Sequence, residues 1–386
     1  MAINLNELLL RAVNEGASDI HLKAGHPPFF RKDGELTPVE DYPPLNPSDV
    51  AKIAYQMMSE RQRDHFMEHH EIDMAYSASG IGRFRVNVFQ QRGTIAIALR
   101  VIPFEIRGFE ELNLPVRPLE RLSSELRGLI LVTGPAGSGK STTLAAMIDY
   151  INHHRRCHII TIEDPIEYLH RDRLSIINQR EVGTDTGSFY DALKMALRQD
   201  PDVIMLGEMR DFETINTALM AAETGHLVLS TLHTTNAAET INRIVSVYPP
   251  HHQRQVRVQL ANVLKGVISQ RLLPRADGKG RVPAVEILIN TPRIRDCILD
   301  KDRIFEIPKA IAEGYVAYGS QTFDQSLMFL YRKGLITLEE ALRHCSNPDE
   351  FTLRVKGILS VSDMGWQEFE SMESGKAEEG DEGLEQ

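Results

Sequence analysis

The feature that most constrains this chain is the run Gly134-Pro-Ala-Gly-Ser-Gly-Lys-Ser141, set between an uncharged apolar stretch, Gly128–Thr133, and a helical apolar stripe, Leu144, Met147, Ile148 and Ile151. It matches the Walker A pattern G-x-x-x-x-G-K-[ST] at every fixed position, in the strand–loop–helix context that the motif requires. Glycines let backbone N–H groups turn inward around phosphates at the positive end of the following helix. Gly134, Pro135, Ala136, Gly137, Ser138, Gly139, Lys140, Ser141 and Thr142 are therefore the expected nucleotide-binding residues. Lys140 supplies a point charge to the β and γ phosphates of ATP, and the Ser141 hydroxyl is a candidate Mg²⁺ ligand.

Such a loop fits an α/β architecture. After Leu112-Asn-Leu-Pro115 the pattern becomes short apolar runs separated by helical segments: Gly128–Thr133, His158–Ile162, Asp202–Leu206, His226–Ser230 and Ala284–Ile289. Buried strands alternating with helices imply a parallel sheet. A second helical stripe is read at Val256, Leu260, Val263, Leu264 and Val267. Before the linker, the pattern is that of a small α+β domain. A helix carries Leu5, Leu8, Leu9 and Val13, and a strand Ile20–Leu22. A further helix starts at Asn46-Pro47 and carries Val50, Ile53, Ala54 and Met57. Two antiparallel strands, Gly82–Val88 and Thr94–Val101, then flank Gly93. The expected boundaries are residues 1–105, a linker at 106–118 with its hinge near Leu112–Pro118, an ATPase domain at 119–366 and an acidic, disordered tail at 367–386.

Composition narrows the partners. Net charge is −11, but the last twenty residues carry −7 of it, so the body is near neutral and offers no broad basic surface for nucleic acid. Three cysteines, Cys157, Cys297 and Cys345, without C-x-x-C spacing build neither a disulfide framework nor a four-thiolate zinc site, which suits a reducing cytoplasm. No export signal or membrane span is read. His65 and His69, four apart on a helical segment, lack a third ligand at clear spacing and are read as surface histidines.

Hydrolysis needs acids near the metal and the attacking water. Glu163 closes the strand His158–Ile162, and Glu208 follows the strand Asp202–Leu206 after Gly207. Carboxyl ends of strands line the ligand crevice in open α/β sheets. Glu208 suits the Mg²⁺ shell and Glu163 the water, a division that the sequence leaves open. His226 and His233 bracket one buried strand and are candidates for sensing and transmitting the state of the γ-phosphate.

Together these motifs resemble the type II secretion and type IV pilus ATPase superfamily. They are Gly134–Thr143, Thr161-Ile-Glu-Asp-Pro-Ile-Glu-Tyr168, Asn178-Gln-Arg-Glu-Val-Gly183, Arg198-Gln-Asp-Pro-Asp202, Gly207-Glu-Met-Arg-Asp211, and Glu223–His226 with Ser230–His233. Gly16-Ala-Ser-Asp-Ile-His-Leu22 and Gly82-Arg-Phe-Arg-Val86 are similar to the PAS-like N-terminal domain of the pilus retraction ATPases, the PilT/PilU family. A short N-terminal region without a tetracysteine insertion resembles retraction rather than extension motors.

The resemblance implies a RecA-like ATPase domain, a homohexamer, and a cytoplasmic position against the inner membrane, where the ring acts on the pilus platform protein. It also implies twitching motility as the output, arginines such as Arg83 and Arg92 completing a neighbour's site, and a paralogous retraction ATPase as a further partner. Arg293-Ile-Arg-Asp-Cys-Ile-Leu-Asp300 keeps only part of the Ala-Ile-Arg-Asn-Leu-Ile-Arg-Glu segment common in PilT, and the region from Thr322-Phe-Asp-Gln-Ser-Leu327 to Asn347–Lys356 is closer to PilU. Two other readings stay open: an accessory ATP-binding ring subunit assisting a separate motor, and a RecA-like translocase on nucleic acid, which predicts strand-stimulated, salt-sensitive hydrolysis.

Overall fold

The computed structural model describes residues 4–32, 34–102 and 105–357. The acidic segment 367–386 lies outside them. Two compact units divide the chain at residues 105 and 106, with residues 167–170 grouped with the first.

In the first unit, alternating side chains build one sheet face. On β5 (Gly82–Gln91), Phe84, Val86 and Val88 are buried while Arg85 is exposed, the period of two that a pleated strand imposes. This strand pairs antiparallel with β4 (Glu71–Ala78) and β6 (Thr94–Ile102). Beyond β6 lie β1 (Asp19–Lys23), β2 (Phe29–Lys32) and β3 (Glu35–Pro38), so the order is β3-β2-β1-β6-β5-β4. Helices α1 (Leu5–Asn14), α2 (Pro47–Met57) and α3 (Glu60–His69) add Leu8, Leu9, Val50, Ile53 and Phe66 to the same core. Asn46 caps α2 in a capping box with Asp49. Strands β2, β3 and β4 lie outside the sequence expectation: β3 is exposed at all four positions, whereas β4 does alternate, with Ile72, Met74, Tyr76 and Ala78 turned to the core.

The second unit opens with Phe109 and Leu114, buried with Leu119 and Leu122 of α4 (Val116–Ser123) against Ile130. The 106–118 segment, expected as linker and hinge, is thus packed into this unit's core. There follow β7 (Gly128–Thr133), α5 (Lys140–His154), β8 (His158–Glu163), β9 (Ile176–Glu181), α6 (Phe189–Ala196), β10 (Val203–Leu206), α7 (Phe212–Glu223), β11 (Leu227–Leu232), α8 (Ala237–Ser246) and α9 (Gln253–Val263). The chain continues through β12 (Leu264–Pro274), β13 (Arg281–Ile289) and α10 (Pro292–Leu299). A 3-10 turn at Lys301–Glu306 leads to α11 (Ile307–Glu313), α12 (Tyr315–Tyr318), α13 (Phe323–Arg332), α14 (Leu338–His344) and α15 (Pro348–Val355).

The seven strands run in the order β13-β12-β7-β11-β10-β8-β9. All neighbours are parallel except β12 and β13, which pair antiparallel, so the sheet is mixed where the sequence suggested a parallel one. A second correction concerns Leu264 and Val267, expected on a helix: α9 stops at Val263, and both lie on β12. Their spacing satisfies either period because β12 is buried on both faces. Pairing decides the matter, because β12 is hydrogen-bonded to β7 on one side and to β13 on the other, and Gly266 lets it pack close: a Cβ there would stand 2.8 Å from Leu122 Cδ2 and 2.9 Å from the Leu288 carbonyl. Strand β9, absent from the sequence reading, covers the far edge beside β8.

Candidate functional site

The loop between β7 and α5 is shaped by its glycines. Gly134 has φ of 144°, and a Cβ on it would fall 2.4 Å from the Gln270 carbonyl oxygen and 2.6 Å from Ser138 Oγ, so no other residue fits without moving β12. Gly139, at φ 90°, is the N-cap of α5 and gives no side-chain cap. The first-turn amides of a fifteen-residue helix therefore present their partial positive charge to the loop. Lys140 is buried, and its Nζ donates to the carbonyls of Gly134 and Pro135, each at 2.9 Å. Pro135, Ala136 and Gly137 form the exposed crown, and Ser141 and Thr142 lie half-buried in the first helical turn. The loop and the first helical turn thus supply an ammonium, a helix N-terminus and two hydroxyls, donor types suited to phosphate oxygens.

Parallel registers bring the acids to the same edge. Leu232 pairs with Thr133, Leu206 with Ser230 and Ile162 with Leu206, so the residues that follow these strand ends emerge side by side. Strand β11 separates the loop-bearing β7 from β10, and His233 at its end therefore stands between the loop and Glu208. The Thr231 hydroxyl donates to the Gly207 carbonyl at 2.6 Å, and Met209 N donates to the Thr231 carbonyl, clamping the backbone on both sides of Glu208. Glu208 Oε2 is 2.7 Å from Arg210 Nε and 3.4 Å from His233 Nε2. Two strands from β11, Glu163 is buried at the end of β8, and its Oε1 accepts from Thr161 Oγ1 at 2.6 Å and from Gln179 Nε2 at 3.1 Å.

Not every sequence candidate joins this edge. His226 sits at the opposite end of β11, about 20 Å away at the usual rise per strand residue, with its Nδ1 3.0 Å from the Ala221 carbonyl. Arg83 and Arg92 belong to the first unit: Arg83 donates to Ser77 Oγ at 3.1 Å, and Arg92 occupies the β5–β6 turn at φ 49°. Among the described residues no cluster of three or more His, Cys, Asp or Glu is placed to hold a metal ion, and His65 stacks on His69 with ring centroids 4.2 Å apart. Thr161, Gln179 and Arg210 were missed as site residues. Thr161 was detectable as the i−2 neighbour of Glu163 on one strand face, whereas Gln179 depends on the unread strand β9.

A phosphate-binding loop at the carboxyl ends of parallel strands, with two acids and a histidine beside it, defines a P-loop ATPase. Comparisons with known proteins agree and narrow the class. A family model described as "Type II/IV secretion system protein" matches residues 1–298. The chain is 47% identical over 349 residues to the type IV pilus retraction ATPase PilT of Pseudomonas aeruginosa, covering 90% of this chain and all of that one. It is 44% identical over 354 residues to the type IV pilus ATPase PilU of the same organism, covering 92% of each. A crystal structure of the pilus retraction motor PilT with bound ADP superposes with a TM-score of 0.80 at 52% identity, covering 90% of this chain and 98% of the other. The Legionella pneumophila ATPase DotB gives 0.73 at 27% identity, over 92% of this chain and 96% of the other.

The chain belongs to the type II/IV secretion ATPase family, among the PilT and PilU pilus ATPases, and is an ATP hydrolase. Among the described residues no helix is long and apolar enough to cross a membrane.

Proposed function

We propose that this protein is a ring-forming motor, a homohexamer that couples ATP hydrolysis to type IV pilus retraction at the cytoplasmic face of the inner membrane. One observation supports this most: the Walker loop, His233, Glu208 and Glu163 emerge from neighbouring parallel strands at one edge, in a chain that spans the whole length of a retraction ATPase. In this reading Lys140 and the α5 N-terminus balance the phosphate charge. Ser141 and Glu208, both hard oxygen donors, would hold Mg²⁺, which normally takes only one or two protein oxygens beside the substrate's phosphates and would there draw charge from them. Glu163 orients the attacking water, and His233 links Glu208 to the phosphate end of β11. Arg83 or Arg92 would complete a neighbouring subunit's site, a contribution that can be worth about 10³ to 10⁵ in rate. The pilus platform protein of the inner membrane would receive the motion.

Phosphate release by wild type and Glu208→Gln, with deletion of the gene, tests the motor. The expected outcome is a loss of at least about 100-fold in the variant, with surplus pili and lost twitching in the deletion strain. Equal near-zero rates for both proteins, or a strain without pili, would overturn it.

A second reading, an accessory ring subunit that assists a paralogous retraction ATPase, draws on α10. Ile294, Cys297 and Ile298 are buried there, so the core positions of the partial PilT-like segment stay apolar. Apart from the buried Cys297, its departures are the half-buried Arg293 and the exposed Asp296, Leu299 and Asp300, with Leu299 40% exposed where the segment carries an arginine. Normal twitching in the deletion strain would favour this reading.

A further inference from the structure

Two uncharged side chains, Thr161 and Gln179, converge on the single oxygen Oε1 of Glu163. Thr161 precedes Glu163 by two residues on β8 and so shares its sheet face. It is fully buried and β-branched, so few rotamers are open to its hydroxyl. Gln179 lies directly opposite Thr161 in the parallel pairing of β8 with β9, which carries its amide to the same oxygen.

We propose that Thr161 and Gln179 are positioning residues for Glu163, fixing its carboxylate so that it holds the attacking water in line with the γ-phosphate. Donors on one oxygen restrict rotation about the last side-chain torsion, which is otherwise broad for a glutamate. Preorganised geometry of this kind raises the rate of the chemical step and leaves substrate affinity alone. The bland alternative is that Glu163 merely satisfies a buried hydroxyl, which predicts a change in stability only. The proposal rests on the reading of Glu163 as the water-orienting acid.

Steady-state ATPase measurements on the full chain separate these possibilities. Thr161→Val and Gln179→Leu should each lower kcat by about 10- to 100-fold, the scale of a hydrogen bond to a charged group, with KM for ATP within about two-fold of wild type. Thr161→Ser, which keeps the hydroxyl, should recover most of kcat. Should Thr161→Val fail to fold, Gln179→Leu and Thr161→Ser carry the test, because Gln179 is half-exposed on an edge strand. Wild-type kcat in Thr161→Val or Gln179→Leu, a loss that Thr161→Ser does not recover, or a raised KM at constant kcat would overturn the positioning role. Glu163→Gln distinguishes the two levels: wild-type activity there would remove Glu163 itself from the chemistry, whereas an inactive Glu163→Gln beside a fully active Thr161→Val would remove only the positioning.

Discussion

His233 Nε2 stands 3.4 Å from Glu208 Oε2, linking the ends of two adjacent parallel strands, the first of them next to the strand that leads into the phosphate loop. Because β11 lies between β7 and β10, a histidine at its end touches the acid of the next strand while neighbouring the loop. At that distance the contact is a weak one. His233→Ala should lower kcat by about 3- to 10-fold with the fold intact, read as phosphate release at saturating ATP. Removal of His226, held at the far end of β11 by the Ala221 carbonyl, should not reproduce that loss in an isolated subunit.

The loop glycines differ in what they tolerate. A methyl on Gly134 overlaps the Gln270 carbonyl at 2.4 Å, whereas the same methyl on Gly137 meets nothing within 4 Å and carries only the strain of φ 74°. Gly134→Ala should weaken binding of a fluorescent ATP analogue by 100-fold or more, on the order of the cost of displacing packed backbone. Gly137→Ala should cost about 1–2 kcal/mol, roughly 10-fold in affinity if the strain falls on the bound loop.

Glu286 provides a pH test of the second unit. Burial pushes its carboxyl up from 4.5 to about 7, against the opposing effects of the Ala237 amide, Arg271 and Ser269. The folded state therefore holds a proton that the unfolded chain releases near pH 4.5. This contribution to stability is complete below pH 4.5 and is lost as pH rises through about 7. Glu286→Gln, which is always neutral, should be the more stable protein at pH 8 by up to about 3 kcal/mol, with the advantage shrinking toward pH 5. Urea midpoints at the two pH values measure it.

Arg271 ties β12 to the C-terminal helices by stacking 4.0 Å over the Phe323 ring and donating to the His344 carbonyl. A lysine keeps the charge but loses the planar stack and the directed donor. Arg271→Lys should destabilise the protein by about 1–2 kcal/mol, seen as a lowered denaturation midpoint with unchanged nucleotide affinity.

Short-range chemistry made much of this protein readable from its sequence. Lys140, Ser141 and the loop glycines act within eight consecutive residues, and the run of apolar residues before them needs no distant partner to declare itself a buried strand. The same holds for Asn46-Pro47, where capping and a fixed proline φ start a helix locally. Strands β3 and β9 escaped because their pattern is made by pairing: β3 is wholly exposed, and β9 is exposed at Ile176 and Asn178.

The sequence by itself determined the chemistry: a phosphate loop, two acids and a histidine of the right kinds, each at the end of an apolar run. Only the tertiary structure decided their relation, because strand order and register are set by contacts between residues far apart in the chain. Those contacts place β11 between β7 and β10, lay β9 beside β8 so that Gln179 reaches Glu163, hold Leu264 and Val267 in a strand paired with β7 and β13, and bury Phe109 and Leu114 of the expected linker. Hydrophobic burial is non-directional, so a sequence can announce that these residues are inside without saying which neighbour each will meet.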